Sequence, residues 1–325
     1  MKIFGFNDFF TNIASNLKAE TRLTFDPGGF EEFLRHSSPN SMHLKPVQSP
    51  EVHEIIKNFK NKSTLDSKIS ALKIANESFL FTEIITKIVN TSFEQGEFPK
   101  GLKLARVVPI HKDGSKTDVS NYRPISLLGS FSKIYEKLMH ARLLDFFDNN
   151  DLFFEMQYGF RPGRSCEHAL LNAQNTILHS LNKNEVALLL LIDFSKAFDM
   201  VDHEILLKKL HHYGIRGIVH KWFKSYLENR RQFVSVGGSD SEEETLIYGV
   251  PQGSILGPIL FIIYINDLPE ISKIAKFIFY ADDANIIVSG STIEEVYQKI
   301  EDLTENLLKW VNSNGLALNL KKQNT

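Results

Sequence analysis

Three aspartates in this sequence lie at the ends of apolar segments, where a charged side chain is costly to place. Asp282 and Asp283 interrupt the segment FIFYADDANIIV, and Asp193 ends the segment VALLLLID. An unpaired buried carboxylate costs several kcal/mol, so something must compensate each charge. Mg²⁺ does this well, because it binds a few carboxylates together with water and substrate phosphates.

Carboxylates brought together from two strands could hold two divalent ions about 4 Å apart. One ion would activate an attacking hydroxyl while the other stabilised a leaving pyrophosphate, which is the chemistry of phosphoryl transfer. The alternative is structural, since Asp favours tight turns and an acid after a strand often caps the next helix. Each aspartate taken alone fits this alternative, but the three together with the segment PQGS (residues 251–254) are not easily explained by it.

The segments that carry these aspartates are predicted to be strands. VALLLLID, residues 186–193, is a short continuous apolar run, which predicts a strand buried on both faces. FIFY and ANIIV flank the Asp-Asp pair as two apolar arms, which predicts a hairpin with the acids at its tip. SILGPILFIIYINDL follows a Pro-Gln-Gly turn and predicts a buried helix.

The other elements are helical at the start of the chain and mixed after it. Apolar spacing predicts an amphipathic N-terminal helix that buries Phe6, Phe9, Phe10, Ile13 and Leu17. Further helices are predicted from Pro50, over 79–93, over 130–147, over 165–182, from a cap at Asp202 to His212 and over 291–313. Strands are predicted over 104–111 and in RQFVSVGG and EEETLIYGV, and KDGSKTDVSNYRP is predicted to be a polar loop. This mixture lacks a regular βαβ alternation, which predicts an α+β fold.

Composition narrows the class of protein. The chain has 325 residues, a formal net charge of -2 and one cysteine, Cys166. One cysteine excludes an internal disulfide and a cysteine zinc site, which favours an intracellular protein that is not secreted. The longest apolar run, ILGPILFIIYI, has 11 residues and is too short to span a bilayer.

Five segments occur in an order that resembles a known family. LLLIDFSKAFDMVDH, YGVPQGSILGPILFIIYINDLP and FYADDANIIV resemble the reverse transcriptase domain of non-LTR (LINE-type) retrotransposons, and especially the jockey-like elements of animals. Upstream, VVPIHKDGSKTDVSNYRPISLL and QYGFRPGRSCEHAL are similar to two finger motifs of that family. The resemblance covers about residues 100–322, and five motifs in order make a specific signal.

The resemblance implies a right-hand polymerase with fingers and palm over residues 100–325, preceded by a helical extension over residues 1–99. It implies RNA-directed DNA synthesis onto a DNA primer, with an RNA template, deoxynucleoside triphosphates and Mg²⁺, for which Mn²⁺ can substitute. Asp193 and Asp282 would be metal ligands, with Asp283 the third carboxylate of the set. Adjacent residues on a flat strand point to opposite faces, so only a turn lets both neighbouring acids approach one site.

The resemblance also suggests residues that contact the substrate. Taken alone, the residues favour a core position for Phe198, whereas the resemblance implies that Phe198 lies beneath the sugar of the incoming nucleotide and leaves no room for a 2′-hydroxyl. Gln252 would lie near the template and the nucleotide, and Gly253 would let the backbone approach a base pair. Lys112 and Arg123 flank the finger loop and would bind the triphosphate, unless each is an ordinary surface residue.

Basic segments provide further candidate contacts to nucleic acid. Residues 100–145 hold nine basic residues against four acidic ones, and residues 203–231 hold seven against two. Such faces bind phosphates even on a chain without net positive charge, but solvated helix faces have the same composition. The segment RRQFVSV and four lysines are candidate contacts to a nucleic-acid backbone, namely Lys208, Lys209, Lys221 and Lys224.

The chain departs from the family at its end, where the pattern Asn-x-x-Lys-Thr reads NLKKQ over residues 319–323. Lys322 would be the lysine near the leaving pyrophosphate, with Gln323 in place of Thr. Neither an endonuclease domain nor a thumb is expected within these 325 residues, so we expect a fragment, or a protein from a degraded or partial element.

Three functions stay open at this level: an RNA-directed DNA polymerase, an inactive nucleic-acid-binding remnant, and a nuclease that uses the same acids. The first is favoured by the intact acids, Phe198 and Gln252. Copying into chromosomal DNA implies access to the nucleus, so the expected compartment is the nucleus, the cytoplasm or both, with no membrane partner. The sequence does not determine the oligomeric state.

Overall fold

The structure is a computed structural model, and it describes residues 3–20, 29–59 and 79–319. The helices, in chain order, are α1 (Ile3–Glu20), α2 (Ser49–Lys57), α3 (Phe79–Gln95), α4 (Ser130–Asn149), α5 (Cys166–Asn182), α6 (His203–His212), α7 (Gly217–Leu227), α8 (Leu256–Tyr264) and α9 (Ile293–Ser313). Each confirms a helix that the sequence predicts, except α7, which was not predicted. Within these described ranges, no helix has both the length and the apolar character needed to cross a bilayer.

The strands form two sheets. In chain order they are β1 (Leu104–His111), β2 (Tyr122–Leu127), β3 (Val186–Ile192), β4 (Arg231–Val236), β5 (Ser239–Asp240), β6 (Glu244–Thr245), β7 (Lys276–Tyr280) and β8 (Asp283–Gly290). The five-stranded sheet has the order β2–β1–β4–β5, with β6 beside β4. Only its β1–β4 pair is parallel among the described strands. The three-stranded sheet is antiparallel with the order β3–β8–β7.

Helix α8 lies at the centre of the main core. Its sequence LGPILFIIY is apolar all round, and every residue except Pro258 is buried. A helix without a polar face must be surrounded by other elements, and α8 packs between α4 and α6. The helix begins directly after the Pro-Gln-Gly turn, so the core fixes the position of that turn.

The prediction that β3 is buried on both faces was wrong. Leu188 and Leu190 pack against the main core, but the exposed fractions of Leu189 and Leu191 are 40% and 64%. The reason is the position of β3 at an edge of the sheet, since it pairs only with β8 among the described strands. Helix α5 packs on the second face of the sheet, where Ala169 is buried with Ile278 of β7 and Ile287 of β8.

Two further expectations need correction in the five-stranded sheet. The polar loop predicted over 112–124 ends early, because β2 begins at Tyr122 and pairs with β1. Pro124 is tolerated there since β2 is an edge strand. The strand predicted in EEETLIYGV is limited to Glu244–Thr245, and the chain is irregular from Leu246 to Gly249.

The N-terminal helix packs on the five-stranded sheet. Phe6, Phe10 and Ile13 are buried against Val107 of β1 and Val234 of β4, which confirms the amphipathic pattern of α1. The division of the chain at residue 99 stays a prediction. Helices α2 and α3 share the main core with α4, α8 and the three-stranded sheet.

Candidate active site

The hairpin that carries the neighbouring acids has a two-residue loop. Tyr280 pairs with Asp283, so Ala281 and Asp282 form the turn between β7 and β8. Ala281 has φ 59°, and hairpins of this loop length require positive φ at the first loop residue. The acids therefore lie at the hairpin tip, as the sequence predicts.

Strand β3 brings the third acid to the same end of the sheet. The last β3–β8 pair joins Ile192 to Ala284, so continuing the register by one residue puts Asp193 opposite Asp283. Residues directly opposite in an antiparallel pair have Cα atoms about 4.5–5.5 Å apart. Asp193 and Asp282 are half-buried, whereas Asp283 is exposed.

A buried glutamine holds the hairpin tip. Gln157 is 2% exposed, and its Oε1 accepts hydrogen bonds from the N–H groups of Ala281 (3.2 Å) and Gly159 (2.8 Å). The backbone of the same segment pairs with β7, since Tyr158 N donates to the carbonyl of Phe279. A Cβ on Gly159 would lie 2.1 Å from the nitrogen of Ala281, so only glycine permits this contact. The segment QYGFRPGRSCEHAL contains Gln157, but no pattern in the sequence distinguishes this residue.

The segment that follows α9 forms hydrogen bonds with Asp193 and its neighbour Ser195. Asn319 donates from its backbone N–H to the carbonyl of Asp193 (2.8 Å) and from its Nδ2 to Oδ2 of Asp193 (2.7 Å). Ser195 N–H donates to the carbonyl of Ala317 (2.8 Å). The carboxylate of Asp193 is thus oriented by an asparagine 126 residues further along the chain. Lys322 lies outside the described residues.

These acids fit a divalent cation that arrives with substrate. Across the described residues, no three His, Cys, Asp or Glu side chains form a ready-made metal cage. The strands bring Asp193 and the Asp282–Asp283 pair to one end of one sheet, but not into such a cage. Mg²⁺ binds through one or two carboxylates plus water and substrate phosphates, so this donor set suits it.

The Pro-Gln-Gly turn lies against the five-stranded sheet. Gly253 has φ 122°, and a Cβ there would meet the carbonyl oxygen of Ser126 at 2.5 Å. Ser126 N–H in turn donates to the carbonyl of Gln252 (2.7 Å). The close approach for which Gly253 is needed in this structure is therefore to the backbone of β2.

A buried acid fixes the start of the helix that follows this turn. Glu136 on α4 is fully buried, and its Oε2 accepts hydrogen bonds from the N–H groups of Ile255 (2.6 Å) and Leu256 (3.3 Å). Burial raises the pKa of Glu136, and these two N–H groups and the charge of Arg230 oppose that rise. Glu136 supplies acceptors at the N-terminus of α8, where backbone donors have no intrahelical partner.

The proposed sugar contact and the glutamine are close together. Phe198 is half-buried, with its ring stacked on Phe261 at 4.8 Å between centroids and 26° between planes. The next residue, Asp199, accepts hydrogen bonds from Nε2 of Gln252 at both carboxylate oxygens, at 2.9 and 2.8 Å. Burial raises the pKa of Asp199 to about 6, against the opposing effects of Gln252 and Lys196.

Three cations gather beside this group. Lys112 and Arg123 are exposed at the ends of β1 and β2. Lys196 reaches between the two segments, with Nζ donating to the carbonyls of Ser120 (3.1 Å) and Tyr122 (3.5 Å). Burial lowers the pKa of Lys196, the charge of Asp199 raises it, and the charges of Lys112 and Arg123 lower it further. Lys196 was not predicted from the sequence, but it lies close enough to Lys112 and Arg123 to form one basic cluster with them.

Fewer lysines of α6 and α7 are available to contact a nucleic-acid backbone than the sequence predicts. The expectation for Lys209 was wrong: it is fully buried, with Nζ 2.7 Å from Oδ2 of Asp267. Its neighbours are exposed but form ion pairs, which are Lys208 with Glu31, Lys221 with Glu97 and Lys224 with Glu228.

Comparison with known proteins places this geometry in a family. Residues 110–325 match the family model described as reverse transcriptase (RNA-dependent DNA polymerase). A probable RNA-directed DNA polymerase from transposon BS of Drosophila melanogaster is 31% identical over 303 residues, which is 87% of this chain and 32% of that protein. The RNA-directed DNA polymerase from mobile element jockey of the same organism is 30% identical, over 90% of this chain and 33% of its own length. The chain thus spans about a third of the length of these curated relatives.

Proposed function

The chain belongs to the reverse transcriptase (RNA-dependent DNA polymerase) family, and on that basis we propose that it extends a DNA primer with deoxynucleotides while copying an RNA template. One observation carries the proposal: β3 and the β7–β8 hairpin bring Asp193 and Asp282–Asp283 to the same end of one sheet. In this assignment the three-stranded sheet is the palm and the five-stranded sheet belongs to the fingers, within a domain over residues 100–325.

The carboxylates are assigned to the metal. Asp193 and Asp282 would hold Mg²⁺, for which Mn²⁺ can substitute, and Asp283 is the third carboxylate of a two-metal site. When bound there, the ions would activate the 3′-hydroxyl of the primer and neutralise charge on the leaving pyrophosphate. The chain itself fixes the carboxylates, through Asn319 on Asp193 and Gln157 on the hairpin tip.

The remaining residues are assigned to the nucleotide and the template. Lys112 and Arg123, together with Lys196, would bind triphosphate oxygens, because their charges lie near one another and Lys196 follows Asp193 by three residues in the chain. Phe198 would pack beneath the sugar and exclude a 2′-hydroxyl, which is the group that distinguishes RNA from DNA. Gln252 and Gly253 would contact the nucleotide and its base pair, and Lys322 would meet the pyrophosphate.

Primer extension on an RNA template with Mg²⁺ tests the proposal. We expect the chain to extend a labelled DNA primer, and Asp282→Asn to lower the extension rate at least about 100-fold, since the metal supplies several kcal/mol. Asp302→Asn, on the exposed side of α9, is the matched control and should extend like the unaltered chain.

The other outcomes separate the alternatives. An unchanged extension rate in Asp282→Asn would contradict the assignment of Asp282 to the metal site. Binding of an RNA–DNA duplex without any extension would favour an inactive remnant, and cleavage without extension would favour a nuclease.

A further inference from the structure

A groove of about 900 Å³ opens at the end of the five-stranded sheet that lies away from Lys112. It lies between the C-terminal half of α3, residues 96–103 and the C-terminal half of α7. Lys103 lines the groove and comes directly before β1, whereas Lys112 comes directly after β1. An extended strand of this length separates the two lysines by about 30 Å, so the groove is separate from the candidate active site.

A buried lysine in the groove has unused hydrogen-bond donors. Lys103 is 6% exposed, and its Nζ donates to the carbonyl of Glu228 at 3.1 Å. An ammonium has three N–H donors, and this is the one hydrogen bond that the Lys103 ammonium forms with the described residues. Burial lowers the pKa of Lys103, and the charge of Arg230 lowers it further, against the charge of Glu228. A carboxylate bound in the groove would supply the missing acceptors and offset the cost of burying this cation.

The charged residues of the groove leave an excess of positive charge. Four lysines and two glutamates line it, which is an excess of two positive charges. The two lysines of α7 pair with the two glutamates, at 3.4 and 3.6 Å. The excess therefore lies on Lys100 and Lys103, which favours an anionic ligand.

An apolar stripe on α3 runs into the groove. Its members are Leu80, Ile84 and Ile88, whose exposed fractions are 65%, 48% and 54%. They are four residues apart, so they share one face of the helix, and Ile88 also lines the groove. At a rise of about 1.5 Å per residue the stripe is about 12 Å long. Exposed apolar side chains that lie side by side mark interaction surfaces.

We propose that the apolar stripe and the groove together bind an acidic amphipathic helix of a partner protein. A helix docks on such a surface through apolar anchors spaced by three or four residues, which matches the spacing of the apolar stripe. Carboxylates at one end of that helix would meet Lys100 and Lys103. The inference does not depend on the proposed function, because none of these residues belongs to the candidate active site.

The walls of the groove favour a peptide over a nucleic acid. Single-stranded nucleic acids bind through exposed aromatic rings on which their bases stack. The two aromatic residues that line the groove, Phe98 and Tyr135, are 1% and 3% exposed and offer no such surface. The two glutamates would repel phosphates, and the apolar stripe matches the apolar face of a helix.

Selection from a displayed library of random peptides, with the whole chain as target, tests the inference. We expect the selected peptides to carry apolar residues at helical spacing and a cluster of Asp or Glu. Fluorescence anisotropy of one labelled peptide of this kind should show the dissociation constant rising at least about tenfold in Ile84→Glu and about threefold in Lys100→Glu. Both residues are exposed, so neither substitution disturbs the core. Leu178→Glu and Lys183→Glu, also at exposed positions, are the matched controls and should leave binding unchanged.

The other occupants of this surface give different results. The inference is overturned if no selected peptide depends on Ile84 and Lys100. Displacement of the selected peptide by a synthetic peptide of residues 60–78 would assign the surface to this chain itself. Binding of a labelled poly(U) RNA that is lost in Lys100→Glu but not in Ile84→Glu would assign the groove to nucleic acid. A dimer in light scattering that Ile84→Glu dissociates would assign the stripe to a second copy, and each of these three results would also overturn the inference.

Discussion

Replacing Gln157 by methionine isolates the hydrogen bonds that hold the hairpin tip. Methionine has a similar length and fills the same buried space, but it cannot accept from the N–H groups of Ala281 and Gly159. The third contact, from Nε2 to the carbonyl of Ala281, is 3.5 Å long and adds little. The substitution therefore changes two hydrogen bonds and leaves the packing nearly constant.

The expected loss follows from the burial of the site. A buried donor left without a partner costs about 1–3 kcal/mol. Two such donors give an expected loss of about 2–4 kcal/mol in the free energy of unfolding, because part of the cost is relieved by local adjustment. Ala281 adds strain of its own, since a left-handed residue other than glycine costs about 1–2 kcal/mol.

Urea unfolding followed by circular dichroism measures this loss. Gln174→Met, at an exposed position of α5, is the matched control and should change stability by less than about 0.5 kcal/mol. Ala281→Gly should recover part of the loss in the Gln157→Met background, because glycine adopts positive φ freely. A loss below about 0.5 kcal/mol for Gln157→Met would refute the assignment of Gln157 as the support of the hairpin.

Three further predictions concern other parts of the chain. Lys209→Met should destabilise the fold by about 3–5 kcal/mol in thermal unfolding, because it leaves Asp267 buried and unpaired, whereas Lys208→Met should have little effect. A small loss would show that Asp267 finds another partner. Phe198→Val should raise ribonucleotide incorporation relative to deoxynucleotides in primer extension, and an unchanged ratio would contradict the sugar contact. Asp199 has a pKa of about 6, so it is ionised above that pH and protonated below it. Protonated Asp199 can itself donate to Gln252, so it no longer fixes which end of the amide faces it, and Gln252 is assigned to the nucleotide. The deoxynucleotide KM should therefore rise as the pH falls from about 7.5 to 5.5. A profile of Asp199→Asn as steep as that of the unaltered chain would contradict this role.

The local parts of the site were predictable from the sequence, because the pattern and the structure depend on the same few residues. Two apolar arms around Asp282 and Asp283 define a hairpin whatever the rest of the chain does. The cap of α6 by Asp202 was predicted for the same reason, and its carboxylate accepts from Glu204 N–H and Ile205 N–H. The apolar run of α8 could only be a buried element.

The partners of these residues were not predictable, because they are distant in the chain. Gln157 is 124 residues from Ala281, and Asn319 is 126 residues from Asp193. No periodicity connects such positions, and an amide side chain has many roles. The exposure of Leu191 had a related cause, since a continuous apolar run does not reveal whether its strand lies at the edge of a sheet.

Counting bound Mn²⁺ by electron paramagnetic resonance tests directly whether Asp193 and the hairpin acids hold divalent ions. The titration would use a chain-terminated DNA primer on an RNA template with the next deoxynucleotide present, so that no turnover occurs. We expect about two ions per unaltered chain, with at least one lost in Asp193→Asn and in Asp282→Asn but none in Asp302→Asn. Equal numbers of ions with equal affinity in all four proteins would contradict the assignment of these acids to the metal site.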